Sequence, residues 1–389
     1  MLRNGNTKTL GLLLLAILIL SSSTVILGAE LKVSSVKPSD VYFGVSYGGV
    51  SAEGAKPLID KVKGYTNIFL IASYDITSNE TALNEICNYC IQSNLKFIVY
   101  FQFISHIIYP WHQAWMDTAK QRFGSNFLGV YLQDELGGKQ IDGNSTQKTV
   151  LNASSYADAA NQYISNIEAF NSTRDAKRRD IPIFLADYAL YWFDYQAGYD
   201  TVFAELGSNA SVVRQIALCR GAADLQGKDW GAIVTWKYEQ PPYMPSAGEM
   251  FSDMVSAYSA GAKYVLVFNY PTYPSGNPYG VLSEEDFAAL QQFWHYINIY
   301  PRESYGVQTA QAALVLPADY GWAMRRSSYI TSDLIWGLFP EDSKAPTVLN
   351  AANTLVDRYG LKLDIVYEDS RYNVTNRYSQ IYYWNSTLT

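Results

Sequence analysis

The chain is short of the residues that mark several common classes of protein. Its 389 residues include three cysteines and three histidines, and only 17% of them are charged. An odd number of cysteines argues against a disulfide framework. No second CxxC pair accompanies Cys87 and Cys90 to complete a zinc site. We therefore expect these two cysteines to be buried apolar residues, with a redox pair as the alternative.

Basic residues are in the minority as well. The 29 Lys and Arg residues against 36 Asp and Glu give a net charge of -7 without any basic cluster, so we expect no nucleic-acid partner. No histidine pair has ligand spacing on a helix, and no nucleotide-binding glycine motif occurs. The sequence therefore predicts neither a metal nor a cofactor. Hydrophobic residues make up 48%, with 32 tyrosines and 9 tryptophans, which suffices for a large core.

Residues 1–29 have the features of a signal peptide. Arg3 and Lys8 precede the apolar run Leu10–Leu20, and Leu27–Ala29 provides a cleavage site. The alternative is an uncleaved anchor, because the apolar stretch has about the 20 residues that span a bilayer. We expect a secreted or cell-surface protein that meets a membrane only through such an anchor.

Glycosylation sequons support export, because asparagines in the pattern N-x-S/T are acceptors in secreted proteins. Most of them lie in polar stretches, where we expect surface loops. The sequons begin at Asn79, Asn144, Asn152, Asn171, Asn209, Asn373 and Asn385.

Residues 38–302 alternate short β-rich runs with amphipathic helical stretches. The continuous apolar runs are typical of parallel strands that are covered on both faces. Eight βα units of this length predict an α/β fold, the (β/α)8 TIM barrel of roughly 250 residues, with a doubly wound open sheet as the alternative. The predicted strands are Val41–Val45, Asn67–Ile71, Lys96–Gln102, Phe127–Gln133, Ile181–Ala186, Thr201–Glu205, Trp230–Trp236 and Tyr264–Asn269.

Residues 307–389 predict a small α/β domain. A strand, a helix and a second strand in this order imply a right-handed crossover in a parallel sheet. The segment resembles part of a flavodoxin-like or amidotransferase-like module, and we expect it to be structural or to form a wall of the cleft. Within it, Asp319–Arg326 is a candidate to reach over the barrel mouth and bind an acidic or neutral sugar, with a surface loop of ion pairs as the alternative. The elements are strands Ala312–Leu316, Leu361–Tyr367 and Gln380–Trp384, and helix Ala345–Tyr359.

Acids, amides and aromatic residues concentrate at the carboxyl ends of the predicted strands, where TIM barrels have their active sites. Two carboxyl groups in an aromatic cleft suit glycoside chemistry. One acid protonates the leaving oxygen, while the other attacks the anomeric carbon or activates water. The candidate catalytic residues are Glu135, Glu205 and Glu239. The candidate substrate-binding residues are Tyr47, Asp75, Gln102, Asp134, Asp187, Tyr188, Trp236, Lys237, Tyr238, Asn269 and Tyr270.

The stretches GVYLQDELGG (129–138) and AIVTWKYEQPP (232–242) resemble the fourth and seventh strands of clan A TIM-barrel glycoside hydrolases. The resemblance implies a glycoside hydrolase acting on a polysaccharide or glycan, with Glu135 as general acid/base and Glu239 as nucleophile, and the signal peptide implies that this enzyme is secreted. Asp134 stands where the clan has Asn, and Glu239 lies three residues beyond Trp236. Glu205 is therefore the alternative partner of Glu135.

Two other functions remain open from the sequence. One is a non-catalytic carbohydrate-binding or cell-envelope protein on the same barrel. The other is a serine esterase, because Ser46 stands in a G-x-S-x-G pattern after a strand. Its base would be His106 or His112, whereas His295 lies in a helical apolar stripe and is expected in the core. The pattern falls on the first strand, which leaves no preceding strands for the usual hydrolase sheet.

Overall fold

The eight predicted strands form a closed parallel barrel. The computed structural model describes residues 41–102, 109–142, 145–208, 210–270, 276–325 and 334–388. Each strand pairs in parallel with the next, and the eighth pairs with the first, which confirms the TIM barrel over the open sheet. The strands are β1 Tyr42–Tyr47, β2 Ile68–Ile71, β3 Lys96–Gln102, β4 Phe127–Leu132, β5 Ile183–Asp187, β6 Thr201–Leu206, β7 Asp229–Val234 and β8 Tyr264–Val267.

Helices alternate with these strands. Several begin at a serine that accepts a backbone hydrogen bond, and the predicted capping box of Ser246 and Glu249 is present. None of the described helices has the length and apolar character needed to cross a membrane. The helices are α1 Ala52–Val62, α2 Tyr74–Thr77, α3 Glu80–Gln92, α4 Pro110–Phe123, α5 Leu136–Ile141, α6 Tyr156–Glu168, α7 Asn171–Arg178, α8 Tyr191–Gln196, α9 Val212–Gln226, α10 Ala247–Ser259, α11 Glu284–Ile299, α12 Arg302–Tyr305 and α13 Ala345–Tyr359.

The barrel interior is filled by large side chains. Because successive residues of a strand point to opposite faces, every second side chain enters the barrel while the others pack against the helices. The interior is closed over most of its length, so space for a ligand remains at its end. The interior residues are Ile68, Leu70, Ile98, Tyr100, Tyr131, Phe184, Ala186, Phe203, Ile233, Tyr264 and Leu266.

A three-stranded parallel sheet follows the barrel. Its strands are β9 Ala312–Leu316, β10 Leu363–Tyr367 and β11 Gln380–Tyr383, in the order β10-β9-β11. The predicted small parallel sheet with its connecting helix is thus confirmed. The described residues of the sheet and of the barrel belong to one compact unit.

Helix α9 is buried between the barrel and this sheet. Arg220 on α9 donates from Nε to Asp364 at 2.8 Å and from Nη2 to the Leu363 carbonyl at 2.9 Å. A Cβ on Gly221 would lie 2.9 Å from the Ile365 carbonyl oxygen, so only glycine permits this close approach. The C-terminal sheet therefore fixes α9, and the first turn of α9 reaches the ligand cavity described below.

The cysteines are buried and form no disulfide. Cys87, Cys90 and Cys219 are free thiols in the core. Burial raises the pKa of the Cys87 and Cys90 thiols well above its usual value, which opposes thiolate formation. The prediction of buried apolar cysteines is confirmed.

Candidate active site

A cavity of about 790 Å³ opens at the carboxyl ends of the barrel strands. Its volume falls in the range of small-molecule sites, and every barrel strand contributes lining residues at or just beyond its end. The predicted site residues that line the cavity are Asp134, Glu135, Tyr188, Glu205, Trp236 and Tyr270.

Glu135 is presented by an unusual backbone conformation. Gln133 and Glu135 have φ angles of 59° and 53°, in the left-handed region that non-glycine residues rarely adopt. The Glu135 N–H donates to the Ala186 carbonyl at 3.0 Å, which anchors this turn to β5. Such strain persists only where the surroundings enforce it. Here it ends β4 sharply and leaves the Glu135 side chain at the cavity.

Asp187 holds the backbone that follows Glu135 in this geometry. Its buried carboxylate accepts hydrogen bonds from Gly137 N–H at 2.6 Å and Gly138 N–H at 2.8 Å, and from the N–H groups of Tyr188 and Ala189. Burial raises the pKa of Asp187 to about 7, against these four donors, which favour the ionised form. A Cβ on Gly137 would lie 2.3 Å from the Ala189 carbonyl oxygen. Asp187 therefore joins α5 to the loop after β5 and does not line the cavity.

Lys139 and Tyr131 hold the two adjacent acids. Lys139 Nζ lies 3.3 Å from Glu135 Oε2 and 3.5 Å from Asp134 Oδ2, and the Tyr131 hydroxyl donates to Asp134 at 2.6 Å. Burial and the Asp134 charge raise the pKa of Glu135, while the Lys139 ammonium opposes this rise. Glu135 thus has a cation beside it that stabilises its carboxylate.

Glu205 is the second glutamate of the cavity. It lies on β6, where its neighbours Ala204 and Leu206 pack outward, so its side chain enters the barrel. Burial, followed by the negative charges of Glu135 and Asp134, raises the pKa of Glu205 well above its usual value. The cavity therefore combines a glutamate whose protonated form is favoured with a second glutamate that lies next to an ammonium group. Among the described residues, no three His, Cys, Asp or Glu side chains are grouped as a metal site requires.

Aromatic rings line much of the cavity. The rings of Tyr100 and Tyr131 meet edge to face at 4.4 Å, and those of Phe268 and Tyr270 are stacked at 6.2 Å. Trp236 meets Tyr270 edge to face at 6.2 Å. The sequence prediction missed Tyr100, Tyr131 and Phe268. The alternation of inward and outward side chains along β3, β4 and β8 is the sequence signal that could have identified them.

Two arginines, Arg214 and Arg325, also line the cavity. Arg325 follows β9 and donates to Asp142 at 2.5 Å, with its guanidinium 4.8 Å from the Tyr188 ring centre. The Tyr188 hydroxyl donates to the same Asp142 carboxylate at 2.8 Å. Arg214 on α9 also lines the cavity and donates to the Met324 carbonyl at 2.7 Å. The segment after β9 thus reaches the barrel mouth through Arg325, whereas Arg326 lies outside the described residues.

The seventh strand does not bring Glu239 to the cavity. The N–H groups of Lys237 and Tyr238 both donate to the Tyr243 carbonyl, so the chain folds back after Trp236. Glu239 and Tyr238 are exposed, and Lys237 pairs with Glu249 at 2.5 Å. None of the three lines the cavity. Glu205 therefore replaces Glu239 as the second candidate carboxyl group.

Other predicted binding residues have structural contacts instead. Tyr47 packs on the helix side of β1 and donates to the Ser51 carbonyl at 3.1 Å. Asn269 is buried and accepts from the Val281 N–H at 3.1 Å. Asp75 is exposed on α2 and does not line the cavity. Gln102 ends β3, and its side chain lies outside the described part of the chain.

Ser46 joins the two strands that close the barrel. Its Oγ accepts from the Asn269 N–H at 2.9 Å, although the residue also lines the cavity. His112 is buried against the Thr77 carbonyl at 2.9 Å. His295 is exposed, so its predicted core position is wrong. None of the described histidines hydrogen-bonds Ser46, and His106 lies outside the described ranges.

Comparison with known proteins gives a likeness of fold. No family model and no curated protein sequence matches this chain. The α-L-fucosidase isoenzyme 2 of Paenibacillus thiaminolyticus is 11% identical with a TM-score of 0.50, over 85% of this chain and 58% of the fucosidase. An endo-β-1,4-mannanase from Thermotoga petrophila is 8% identical with a TM-score of 0.42, over 66% and 77%. A 3-deoxy-D-arabino-heptulosonate 7-phosphate synthase from Thermotoga maritima is 9% identical with a TM-score of 0.40, over 72% and 93%.

Proposed function

We propose that the chain is a glycoside hydrolase that uses Glu135 and Glu205. The observation that carries this proposal is that two glutamates line one aromatic cavity, where burial raises the pKa of Glu205 further than that of Glu135, which has Lys139 beside it. Sites in which two titratable groups are driven to different protonation states are suited to acid and base roles. The aromatic faces match the apolar faces of sugar rings.

The roles follow from the surroundings of each carboxyl group. Burial and negative neighbours raise the pKa of Glu205, which favours its protonated form, so it is the group that donates a proton to the glycosidic oxygen as that bond breaks. Glu135, beside Lys139, is the carboxylate that attacks the anomeric carbon or takes a proton from the attacking water. In this assignment Glu135 is the nucleophile or base, whereas the clan A resemblance implied that it is the general acid/base.

A barrel of the same kind carries an α-L-fucosidase, but that likeness supports only the scaffold and gives no sugar. The competing function is a non-catalytic carbohydrate-binding protein. It would bind a sugar in this cavity and release no product. Hydrolysis is therefore the property to measure.

The test is a screen of nitrophenyl glycosides and polysaccharides with the purified protein. On an oligosaccharide or polysaccharide substrate found in this screen, whose leaving group needs a proton, Glu135→Gln and Glu205→Gln should each lower kcat/KM by about 10²–10⁴, the usual contribution of a general acid or base. Glu239→Gln is the matched control, because this glutamate is exposed and outside the cavity. Full activity in either cavity variant, or a large loss in the control, would contradict the assignment.

We also propose that the protein is exported and glycosylated. The five sequon asparagines within the described residues are all exposed, which supports access for a glycosylating enzyme; they are Asn79, Asn152, Asn171, Asn373 and Asn385. Mass spectrometry of the native protein should find glycan at some of these sites and an N-terminus near Glu30. Unmodified asparagines together with an intact N-terminus would contradict export through this signal.

A further inference from the structure

We propose that the ligand of this barrel is a chain of several sugar units, and that the units outside the cavity stack on the exposed rings of Tyr270, Tyr238 and Tyr74. The inference rests on the proposed function and names its substrate class, a glycan chain, together with a surface that binds it. It depends on where exposed apolar side chains lie around the barrel mouth.

Exposed apolar side chains follow four neighbouring strands of the barrel. These strands are consecutive in the closed ring, because β7 pairs with β8, β8 with β1, and β1 with β2. The four side chains therefore belong to one arc at the carboxyl ends of the strands, where the cavity opens. They are Tyr238 after β7, Tyr270 after β8, Val50 after β1 and Tyr74 after β2.

The arc continues the aromatic lining of the cavity. Trp236 and Tyr270 both line the cavity, and their rings meet edge to face at 6.2 Å. A Cβ on Gly48 would lie 2.5 Å from Tyr270 Cδ2, so the glycine after β1 leaves the space that this ring occupies. Ala72 lines the cavity two residues before Tyr74. A ligand that fills the cavity can therefore extend onto the arc.

The exposed rings suit a sugar in particular. Tyr238, Tyr270 and Tyr74 are between 44% and 47% exposed, so part of each apolar ring is in contact with water. Tyrosine combines an apolar face with a polar hydroxyl group, and a sugar ring likewise has an apolar face with hydroxyl groups at its edge. Covering these rings with sugar faces removes apolar surface from water, which favours binding.

The Tyr74 ring is held in place before a ligand arrives. Its hydroxyl group is hydrogen-bonded to the hydroxyl group of Tyr109 at 2.7 Å. The Tyr109 ring is in turn stacked on Trp111 with a separation of 6.3 Å. A ring that is already fixed loses little conformational freedom on binding, so more of its contact energy contributes to affinity.

The length of the arc favours a chain over a single sugar. Adjacent strands are about 4.8 Å apart, so four of them span about 14 Å of the rim. Glu135 and Glu205 come from β4 and β6, outside this arc. A single ring held at the two glutamates would leave most of the exposed tyrosines uncovered, whereas a chain would cover them.

The experiment measures affinity against chain length. Calorimetric titration of Glu135→Gln, in which cleavage is slow, uses cello-, xylo-, manno-, malto- and chito-oligosaccharides of one to six units. In the series that fits the cavity, we expect Kd to fall about threefold to tenfold for each added unit that reaches a ring. The fall should level off once the three tyrosines are covered. The same titrations of Glu205→Gln show whether this dependence belongs to the barrel mouth and not to one substituted residue.

Substitutions of the rings test the surface itself. In the Glu135→Gln background, Tyr74→Ala, Tyr238→Ala and Tyr270→Ala should each raise the Kd of the hexasaccharide about threefold to tenfold. The corresponding phenylalanine variants should keep most of the affinity, because the ring face is retained. Tyr305→Ala is the matched control, since this tyrosine is 66% exposed on α12 and lies outside the cavity.

Two results would overturn the inference. One is a Kd that falls with chain length in none of the five series, and the other is wild-type affinity for the hexasaccharide in all three alanine variants. A dimer in analytical ultracentrifugation that dissociates in Tyr74→Ala and Tyr238→Ala would also overturn it, because the arc would then be a contact between two copies of the chain.

Failure of this inference is distinguishable from failure of the proposed function. Hydrolysis of a nitrophenyl glycoside, without any gain in affinity from added sugar units, would support the proposed function and overturn the chain-binding arc. Tighter binding of longer chains that is lost in the alanine variants, in a wild-type protein that cleaves none of these chains, would support the arc and contradict the hydrolase.

Discussion

Replacing Gly137 by alanine should release the segment that presents Glu135 to the cavity. The added Cβ would lie 2.3 Å from the Ala189 carbonyl oxygen, so α5 must move away from the loop after β5. This movement would break the 2.6 Å hydrogen bond from the Gly137 N–H to Asp187. We expect both the stability and the activity of the variant to fall.

The magnitude follows from these two effects. Overpacking of a close contact costs about 1–3 kcal/mol, and a lost hydrogen bond to a charged group costs about 1.5–3 kcal/mol. The free energy of unfolding should therefore fall by about 2.5–6 kcal/mol. Gly138→Ala should cost less, because its Cβ would meet the ring of Tyr188 at 2.0 Å and that side chain can rotate away from Asp142.

Urea unfolding followed by circular dichroism measures the free energy of unfolding of the Gly137→Ala and Gly138→Ala variants. Gly248→Ala is the matched control, because this glycine is in the first turn of α10 with nothing within 4 Å of an added Cβ. Alanine is favoured over glycine in a helix by about 1 kcal/mol, so the control should be slightly stabilised. If the free energy of unfolding of Gly137→Ala lies within about 0.5 kcal/mol of the wild-type value, the usual range of a neutral surface change, this contact does not hold the segment that carries Glu135.

Three further predictions follow from the buried groups. Arg220→Met should lower the free energy of unfolding by about 3–5 kcal/mol, because Asp364 loses its buried cation. The double variant with Asp364→Leu should recover part of that loss, and an unchanged free energy of unfolding in the single variant would contradict the role of this pair. The kcat/KM of the enzyme should fall as the pH rises through the raised pKa of Glu205, since a general acid must be protonated; this alkaline limb should be absent in Glu205→Gln. Cys87 and Cys90 should resist a thiol reagent in the native protein and react in urea, because both are buried; rapid labelling of the native protein would refute this.

The barrel was predictable because parallel strands that are covered on both faces leave continuous apolar runs. The predicted and observed strand bounds differ by at most two residues. Even the short β6 was correct, and with it the position of Glu205. The first two strands of the C-terminal sheet were predictable for the same reason, since β9 and β10 are fully buried and largely apolar runs.

The site was less predictable because side-chain direction near a strand end depends on details that a residue list does not show. Tyr47 was expected at the cleft, but strand alternation turns it toward the helices. Glu239 was expected as nucleophile, but backbone hydrogen bonds to Tyr243 fold its loop away. The left-handed turn at Glu135 depends on a long-range contact with Asp187. The approach of Arg214 to the cavity depends on its packing against the C-terminal segment.

The leaving-group dependence of Glu205→Gln tests the central claim most directly. A general acid matters when the leaving group is a poor one, and it matters little when the leaving group is already stable as an anion. The variant should therefore lose about 10²–10⁴ in kcat/KM on an alkyl glycoside or oligosaccharide. It should retain near wild-type kcat/KM on the dinitrophenyl glycoside of the same sugar. Glu135→Gln, by contrast, should have a low kcat/KM on both substrates. An equal loss on both substrates in Glu205→Gln would contradict the assignment of Glu205 as the acid.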